Sequence, residues 1–349
     1  MIVFLHAQLS GYFLSCIKSL SNNTEEEIHI FKHPKSEEAP FVQCRIENVT
    51  FHNREEYSVQ QLIDEVKRLN PNILFCCGWY DKGYLKVCRS IKKRMPVIVL
   101  VDNQWRNTLR QYIGCIASRL FNYLGCFSHI WVAGEPQKIF ALKLGFKENQ
   151  IMTGYYSADA YLYKKLFLES RNKTIPKRFV FVGRYAKEKG LSKLWDAFIR
   201  LREDGYADGW ELWCIGQGPL FDERVKHPQI KHFGFVQPYE MNKYIGEGGV
   251  FILPSVFEPW GVVVHEFAIA GFPLLCSDVV GAATKFVEPG VNGYIFNTKN
   301  RKSIYNSLKK MTGKDDDELK KMSIKSHEFG MTYTPEQWAS TVLGFKLLK

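Results

Sequence analysis

The stretch NILFCCGWYDKGYLKVCRSIKKRMPVIVLV, residues 72–101, holds two short apolar runs around a segment whose apolar positions recur at helical spacing. NILFCCGW and MPVIVLV read as strands, and YLKVCRSIKK as the helix that joins them. Strands this continuously apolar are expected in a parallel sheet covered by helices on both faces.

Outward from this unit the same rhythm continues. IVFLH, EIHIF, VQCRIENVTF, HIWVAG and QIMTGY read as further strands, and SVQQLIDEVKRL and EPQKIFALKLG as further helices. A mostly parallel α/β domain over residues 1–160 follows. Residues 156–177 lack a period of either kind and end in a charged, proline-containing piece, so 161–177 reads as an interdomain linker. A second series then runs KRFVFVGR, a helix from Leu191 to Arg202, WELWCIGQG, QIKHFGFV, GGVFILPS, a helix after Glu258, FPLLCSD and NGYIF. It predicts a second doubly wound domain over 178–331. TPEQWASTVLGFKLLK opens on a Thr-Pro-Glu start, so 332–349 reads as a terminal helix expected to pack back on the first domain.

A chain of 349 residues suits two domains of ordinary size better than one core. Its 46% hydrophobic and 24% charged content is that of a globular protein. The nine cysteines are scattered and form no C-x-x-C pair, and they read as reduced core thiols of a cytoplasmic protein. MIVFLHAQLSGYF has no basic leader and reads as a first strand rather than a signal peptide. The window from Gln111 to Gly134 is interrupted by Arg119, Asn122 and His129, so no membrane span is expected.

The net charge of +11 concentrates between Lys67 and Lys147, where the acidic residues are only Asp81, Asp102 and Glu135. Such a field attracts phosphate on nucleotide, nucleic acid or anionic lipid, or is simply a solvated face. Within it, Trp105, Leu109, Ile113, Ile116, Leu120 and Leu124 recur at helical spacing beside Arg106, Arg110 and Arg119. Two readings stand: a core-facing stripe, or a helix resting on the anionic inner face of the cell membrane.

Four turns close predicted strands in the second half: VGRYAKEKG (182–190), IGQGPL (215–220), FGFV (233–236) and LPSVFEPWGVVVHE (253–266). The first places Arg184 and Lys189 on a loop leading into a helix, a combination suited to a diphosphate. The last carries Glu258 and Glu266 with seven residues between them, which a simple helix start would also explain. Neither a phosphate-binding P-loop nor a dinucleotide G-x-G-x-x-G is present.

Taken together, the order and spacing of these turns resemble a retaining glycosyltransferase of family 4. The residues that carry the resemblance are Gly183, Arg184, Glu188, Lys189 and Gly190 of a G-R-x-x-x-E-K-G loop, with the Glu258 and Glu266 pair. It is strong over residues 178–300, and the first 160 share only the strand-helix rhythm. The fold it implies is GT-B, two doubly wound Rossmann-like α/β domains facing a central cleft. The donor it implies is a nucleoside-diphosphate sugar, without a separate cofactor or metal.

In this likeness Glu258 bonds the hydroxyls of the donor sugar and Glu266 those of the ribose, tasks that suit an acceptor-only carboxylate. Gly261 lets the backbone approach, so that the amides of Val262 and Val263 receive the diphosphate with Arg184 and Lys189. Phe235 and Val236 would frame the base, and Gly11, in the LSGY turn, would be the first domain's close-approach residue. Family members often carry a His after the strand corresponding to MPVIVLV, whereas Asp102 stands here. Asp102 either takes the acceptor-side role or caps a helix beginning near Trp105. The implied acceptor is a glycan or a lipid-linked molecule in cell-surface polysaccharide synthesis. A sugar-nucleotide epimerase would share the two-domain plan, and a nucleic-acid-binding protein would share the charge but lacks any accompanying motif.

Overall fold

A computed structural model describes residues 1–34, 45–170, 174–237 and 240–346, so Cys44 and the start of the expected strand VQCRIENVTF lie outside the described residues. The chain divides into two compact units, Met1–Ser157 with Tyr333–Lys349, and Ala158–Thr332.

The first unit runs β1 (Ile2–Leu5), α1 (Gly11–Asn22), β2 (Ile28–Lys32), β3 (Val49–Asn53), α2 (Val59–Leu69), β4 (Ile73–Cys77), α3 (Lys82–Ile91), β5 (Val97–Val101), α4 (Leu109–Leu120), β6 (His129–Val132), α5 (Glu135–Leu144) and β7 (Ile151–Thr153). Among the described residues its strands lie in the order β3-β2-β1-β4-β5-β6-β7, all parallel. Alternate residues of each strand feed opposite faces, as a period of two requires. Val3, Leu5, Leu74, Cys76, Val97 and Val99 join one buried cluster, while Ile2, Phe4, Ile73, Phe75, Ile98 and Leu100 join the other. That is why these strands read as unbroken apolar runs.

The second unit runs α6 (Ala160–Ser170), β8 (Arg178–Val182), α7 (Leu191–Glu203), β9 (Glu211–Ile215), β10 (Ile230–Phe233), α8 (Asn242–Ile245), β11 (Val250–Leu253), α9 (Val262–Ile269), β12 (Leu274–Ser277), α10 (Ala283–Phe286), β13 (Gly293–Phe296), α11 (Arg301–Thr312) and α12 (Asp316–Gly330). Its described strands lie in the order β10-β9-β8-β11-β12-β13, again parallel. The chain then returns to the first unit as α13 (Pro335–Phe345). Two doubly wound α/β units are therefore present, as the strand-helix rhythm predicts.

The stretch read as a structureless linker contains a helix, α6, which belongs to the second unit. Its apolar residues point both ways: Tyr163 and Leu166 are buried whereas Tyr161 and Leu168 are exposed, so no single stripe marks it. The helix expected near Trp105 begins instead at Leu109, where the Thr108 side chain accepts from the Gln111 amide at 3.4 Å. Asp102 is therefore not its cap. No helix among the described residues is long and apolar enough to cross a membrane.

Candidate functional site

In each sheet the strand order reverses between two central strands, β1 and β4 in the first unit, β8 and β11 in the second. Ligands of open parallel sheets bind beyond the carboxyl ends of such strands, where the connecting loops part. The loops VGRYAKEKG and LPSVFEPWG leave the carboxyl ends of β8 and β11, and so meet at this point.

Backbone bonds hold the two loops together. The Val256 and Phe257 amides both donate to the Glu188 carbonyl, at 2.8 and 3.3 Å. Gly190 has φ +68°, and a Cβ there would lie 2.3 Å from the Pro254 carbonyl oxygen, so only glycine permits the approach. The GQGP turn closes on the same loop: a Cβ on Gly216 would lie 2.0 Å from the Gly183 oxygen, and the Tyr185 amide donates to the Gln217 carbonyl at 2.9 Å.

Two of the expected polar groups come together on these loops. The Lys189 ammonium is bonded to the Glu258 carboxylate, and the Ser255 hydroxyl donates to the same carboxylate oxygen at 3.1 Å. Both charged side chains are largely buried, so each depends on the other for compensation. Arg184 stands on the same loop, half exposed, with its guanidinium 2.9 Å from Glu188. The backbone and that guanidinium hold the Glu188 carboxyl below its usual range. An exposed pair of this kind is weak and leaves Arg184 able to turn to an anion.

Gly261, at φ +89°, starts α9 by turning the chain from the Glu258 loop into the helix. The first-turn amides of Val262 and Val263 follow it, at a helix end whose donors have no intrahelical partners. Glu266 lies one turn further on. Burial pushes its carboxyl from 4.5 up to about 7, against a hydrogen bond from Tyr163 that favours the charged form, and with Asp159 adding repulsion. Some of its surface stays accessible while protein crowds the carboxyl from most sides, and the crowding decides its ionisation. Tyr163, which sequence reasoning left in the linker, and Asp159, which it left at the end of the first domain, both act on the Glu266 carboxyl. Phe235 and Val236 leave the end of β10, and the Phe235 ring is exposed.

His265, between the two glutamates, faces the other way and is fully buried. Its Nδ1 accepts from the Ala158 amide at 3.0 Å and its Nε2 bonds the Gly330 carbonyl at 2.8 Å. A carbonyl can only accept, so Nε2 carries the proton. A cavity of about 770 Å³ between α7 and α11 is separate and meets the loops only at Pro254.

The first unit has its own cavity, of about 450 Å³, at the carboxyl ends of β1, β4 and β5. His6, Gln8, Tyr12, Trp79, Asp102 and Tyr156 are among its lining residues. Asp102 accepts from the Tyr156 hydroxyl at 3.2 Å. Burial lowers His6 to about 4, so its ring is neutral near pH 7. Gly11 opens α1 just after the Ser10 cap. His6, Tyr12 and Tyr156 carry no motif by which sequence reasoning would have found them. Among the described residues no cluster of His, Cys, Asp or Glu side chains is arranged to hold a metal ion.

Residues 176–313, which lie within the second unit, match the family described as Glycosyl transferases group 1. An uncharacterised glycosyltransferase of Methanocaldococcus jannaschii is 32% identical over 136 residues, 37% of this chain and 34% of its own length. The alpha-monoglucosyldiacylglycerol synthase of Acholeplasma laidlawii is 32% identical over 127 residues, 34% of this chain and 31% of its own. The chain thus spans about a third of the length of these relatives. Anabaena HepE, solved in complex with UDP and glucose, superposes with a TM-score of 0.71 at 15% identity over 98% of both chains. That likeness is one of fold, and the fold is GT-B.

Proposed function

We propose that the chain is a retaining glycosyltransferase that moves a sugar from a nucleoside-diphosphate sugar to a glycan or lipid-linked acceptor in polysaccharide or glycolipid synthesis. The observation that carries this reading is the bonded Lys189 and Glu258 pair beside Arg184 and the amino end of α9, at the switch point of the second sheet. The group 1 domain match over the same residues supports it. The UDP of HepE and the lipid product named for the Acholeplasma relative suggest a uridine donor and a membrane-derived acceptor.

The chemistry follows from charge. Breaking the bond from sugar to diphosphate leaves positive charge on the sugar ring and negative charge on the departing diphosphate. Arg184, Lys189 and the amides of Val262 and Val263 take the anion, in place of a divalent ion. Each donor placed where charge develops contributes about 3 kcal/mol to lowering the barrier. Glu258 accepts from the sugar hydroxyls, Glu266 from the ribose, and Phe235 with Val236 frames the base. The acceptor hydroxyl attacks from the face the diphosphate leaves, which passes its proton to that diphosphate and retains configuration. Asp102, with Tyr156 behind it, orients the acceptor.

The test is incubation with UDP-glucose and GDP-mannose, with and without an added sugar or lipid acceptor. Transfer is expected only with acceptor, and it should survive a chelator. Glu258→Gln should abolish transfer while nucleoside diphosphate binding holds or strengthens, because Lys189 loses its competing carboxylate. Glu266→Gln should weaken nucleotide binding itself. Interconversion of the nucleotide sugar without acceptor would identify an epimerase, and a strict divalent requirement would refute the cation-only leaving group.

A further inference from the structure

Helix α4 of the first unit is amphipathic in the inverted sense. Leu109, Ile113, Ile116 and Leu120, spaced to share one stripe, are 58% to 76% exposed, and Phe121 just beyond the helix is 79% exposed. The inward face is carried by Cys115, the helix's buried residue, and by polar groups. There Gln111 accepts from the Arg106 amide at 2.7 Å and donates to the Gln104 carbonyl at 2.9 Å. A helix that packed its apolar stripe on the core would show the opposite arrangement. The core-facing reading is therefore excluded for these four residues, while Trp105 and Leu124 of the same run do pack on the core, and an exposed apolar strip of this size implies a cover.

The charge around the strip says which cover. Arg106 and Arg110 lie at its amino end and Arg119 beside it, with the Arg119 guanidinium 3.0 Å from the Leu142 carbonyl of α5. Arg89 of α3 reaches over the Tyr123 ring at 5.3 Å, Lys92 donates to the Gly125 carbonyl at 3.3 Å, and Lys143 of α5 lies over Trp105 at 4.7 Å. Cations from three helices thus rim one apolar strip. A second copy docked about a twofold axis would bring two such rims face to face, like charge on like. A bilayer with anionic headgroups meets both features at once, taking the aliphatic side chains below the headgroups and pairing the cations with them.

We infer that α4 with Phe121 is a surface that inserts shallowly into one leaflet of an anionic lipid bilayer. The helix starts seven residues after Asp102, at the mouth of the first unit's cavity, so a docked chain holds that cavity close to the lipid surface. This docking stands apart from the proposed activity and is read without any sugar transfer.

The test is sedimentation with phosphatidylcholine vesicles with and without phosphatidylglycerol, at low and high salt. The chain is expected to sediment only with anionic vesicles and to be largely released by salt. Replacing Leu109, Ile113, Ile116 and Leu120 together by Ser should leave the melting temperature unchanged, since these side chains face water, and lower partitioning at least about tenfold. The double variant Arg106→Gln and Arg110→Gln should lower it about 25-fold, roughly fivefold per cation near an anionic surface. Nucleotide binding measured on the same samples should not change in either variant. Wild-type partitioning by the serine variant overturns the proposal. So does a wild-type dimer in vesicle-free buffer that becomes monomeric in the serine variant, which would assign the strip to a second copy.

Discussion

At the scale of single residues, Glu266 couples folding and ligand binding to pH. Its carboxyl sits at about 7 in the folded chain because burial opposes its charge. Between about pH 4.5 and 7 the folded state therefore holds a proton that the unfolded state has released. The stability this represents is fully present below the unfolded value and is lost as pH rises through 7, a fall of about 3 kcal/mol. Urea melts across this range should show that fall, and Glu266→Gln, which cannot ionise, should flatten it. If the ionised carboxylate receives the ribose hydroxyls, binding of a nucleotide sugar should strengthen from about pH 6 to about pH 8. A nucleotide sugar is the right probe because its diphosphate is a diester and does not titrate there. Tyr163→Phe removes the donor that favours the charged form, so it should shift the midpoint of that binding curve upward. An unshifted midpoint would count against Tyr163 as a partner of the carboxylate.

At the scale of elements, α13 completes one face of the first unit's core, supplying Trp338, Ala339, Val342 and Phe345. Trp338 is almost fully buried, 5.2 Å from the Trp131 ring and 6.0 Å from Phe4, and its indole donates to the Tyr155 carbonyl at 2.8 Å. Trp338→Ala should destabilise the first unit by about 4 kcal/mol, the usual cost of emptying a large aromatic site. A melt that follows each unit by its own fluorescence would show the loss confined to the first. This helix was legible from Thr-Pro-Glu, because Thr334 caps it in a reciprocal box with Gln337. Strands β1, β4, β5, β8 and β11 were legible for a related reason: burial on both faces leaves no room for polar residues. The elements that sequence missed lack such a mark. In α6 the buried residues are interleaved with exposed Tyr161 and Leu168, and in α4 the stripe points outward, so periodicity found the helix but not its orientation. In the candidate site, motif spacing pointed to Arg184, Lys189, Glu258 and Glu266, of which Lys189 and Glu258 are bonded to each other. It missed Tyr163 and His6, which matter through their packing and belong to no local pattern.

At the scale of the whole molecule, the second unit is an insertion within the first. The chain leaves the first unit after Ser157 and re-enters it at Tyr333, so Ala158–Thr332 is continuous while its host is in two pieces. His265 joins the ends of the insert, bonding Ala158 near its start and Gly330 near its end. An insert with its own core and its own staple should fold alone. Residues 158–332 by themselves are therefore expected to unfold cooperatively and to bind a nucleoside diphosphate as tightly as the full chain. Residues 1–157 alone should not fold well, because they lack α13 and leave the apolar cluster around Trp131 and Phe75 uncovered. The host should recover when Ser157 is joined to Tyr333 by a short glycine linker. The two ends are close enough for that, since the Tyr333 hydroxyl donates to the Gly154 carbonyl at 2.5 Å. Urea melts, dye binding and nucleotide titration of the three pieces test this division. Removing the staple tests it from within: His265→Leu leaves the Ala158 amide and the Gly330 carbonyl buried without that partner, at a cost of about 1–3 kcal/mol for each such group. In the full chain the insert should register this as a lower melting temperature, whereas the host unit, which contains no part of α9, should melt unchanged. Equal loss in both would mean that the units do not fold separately.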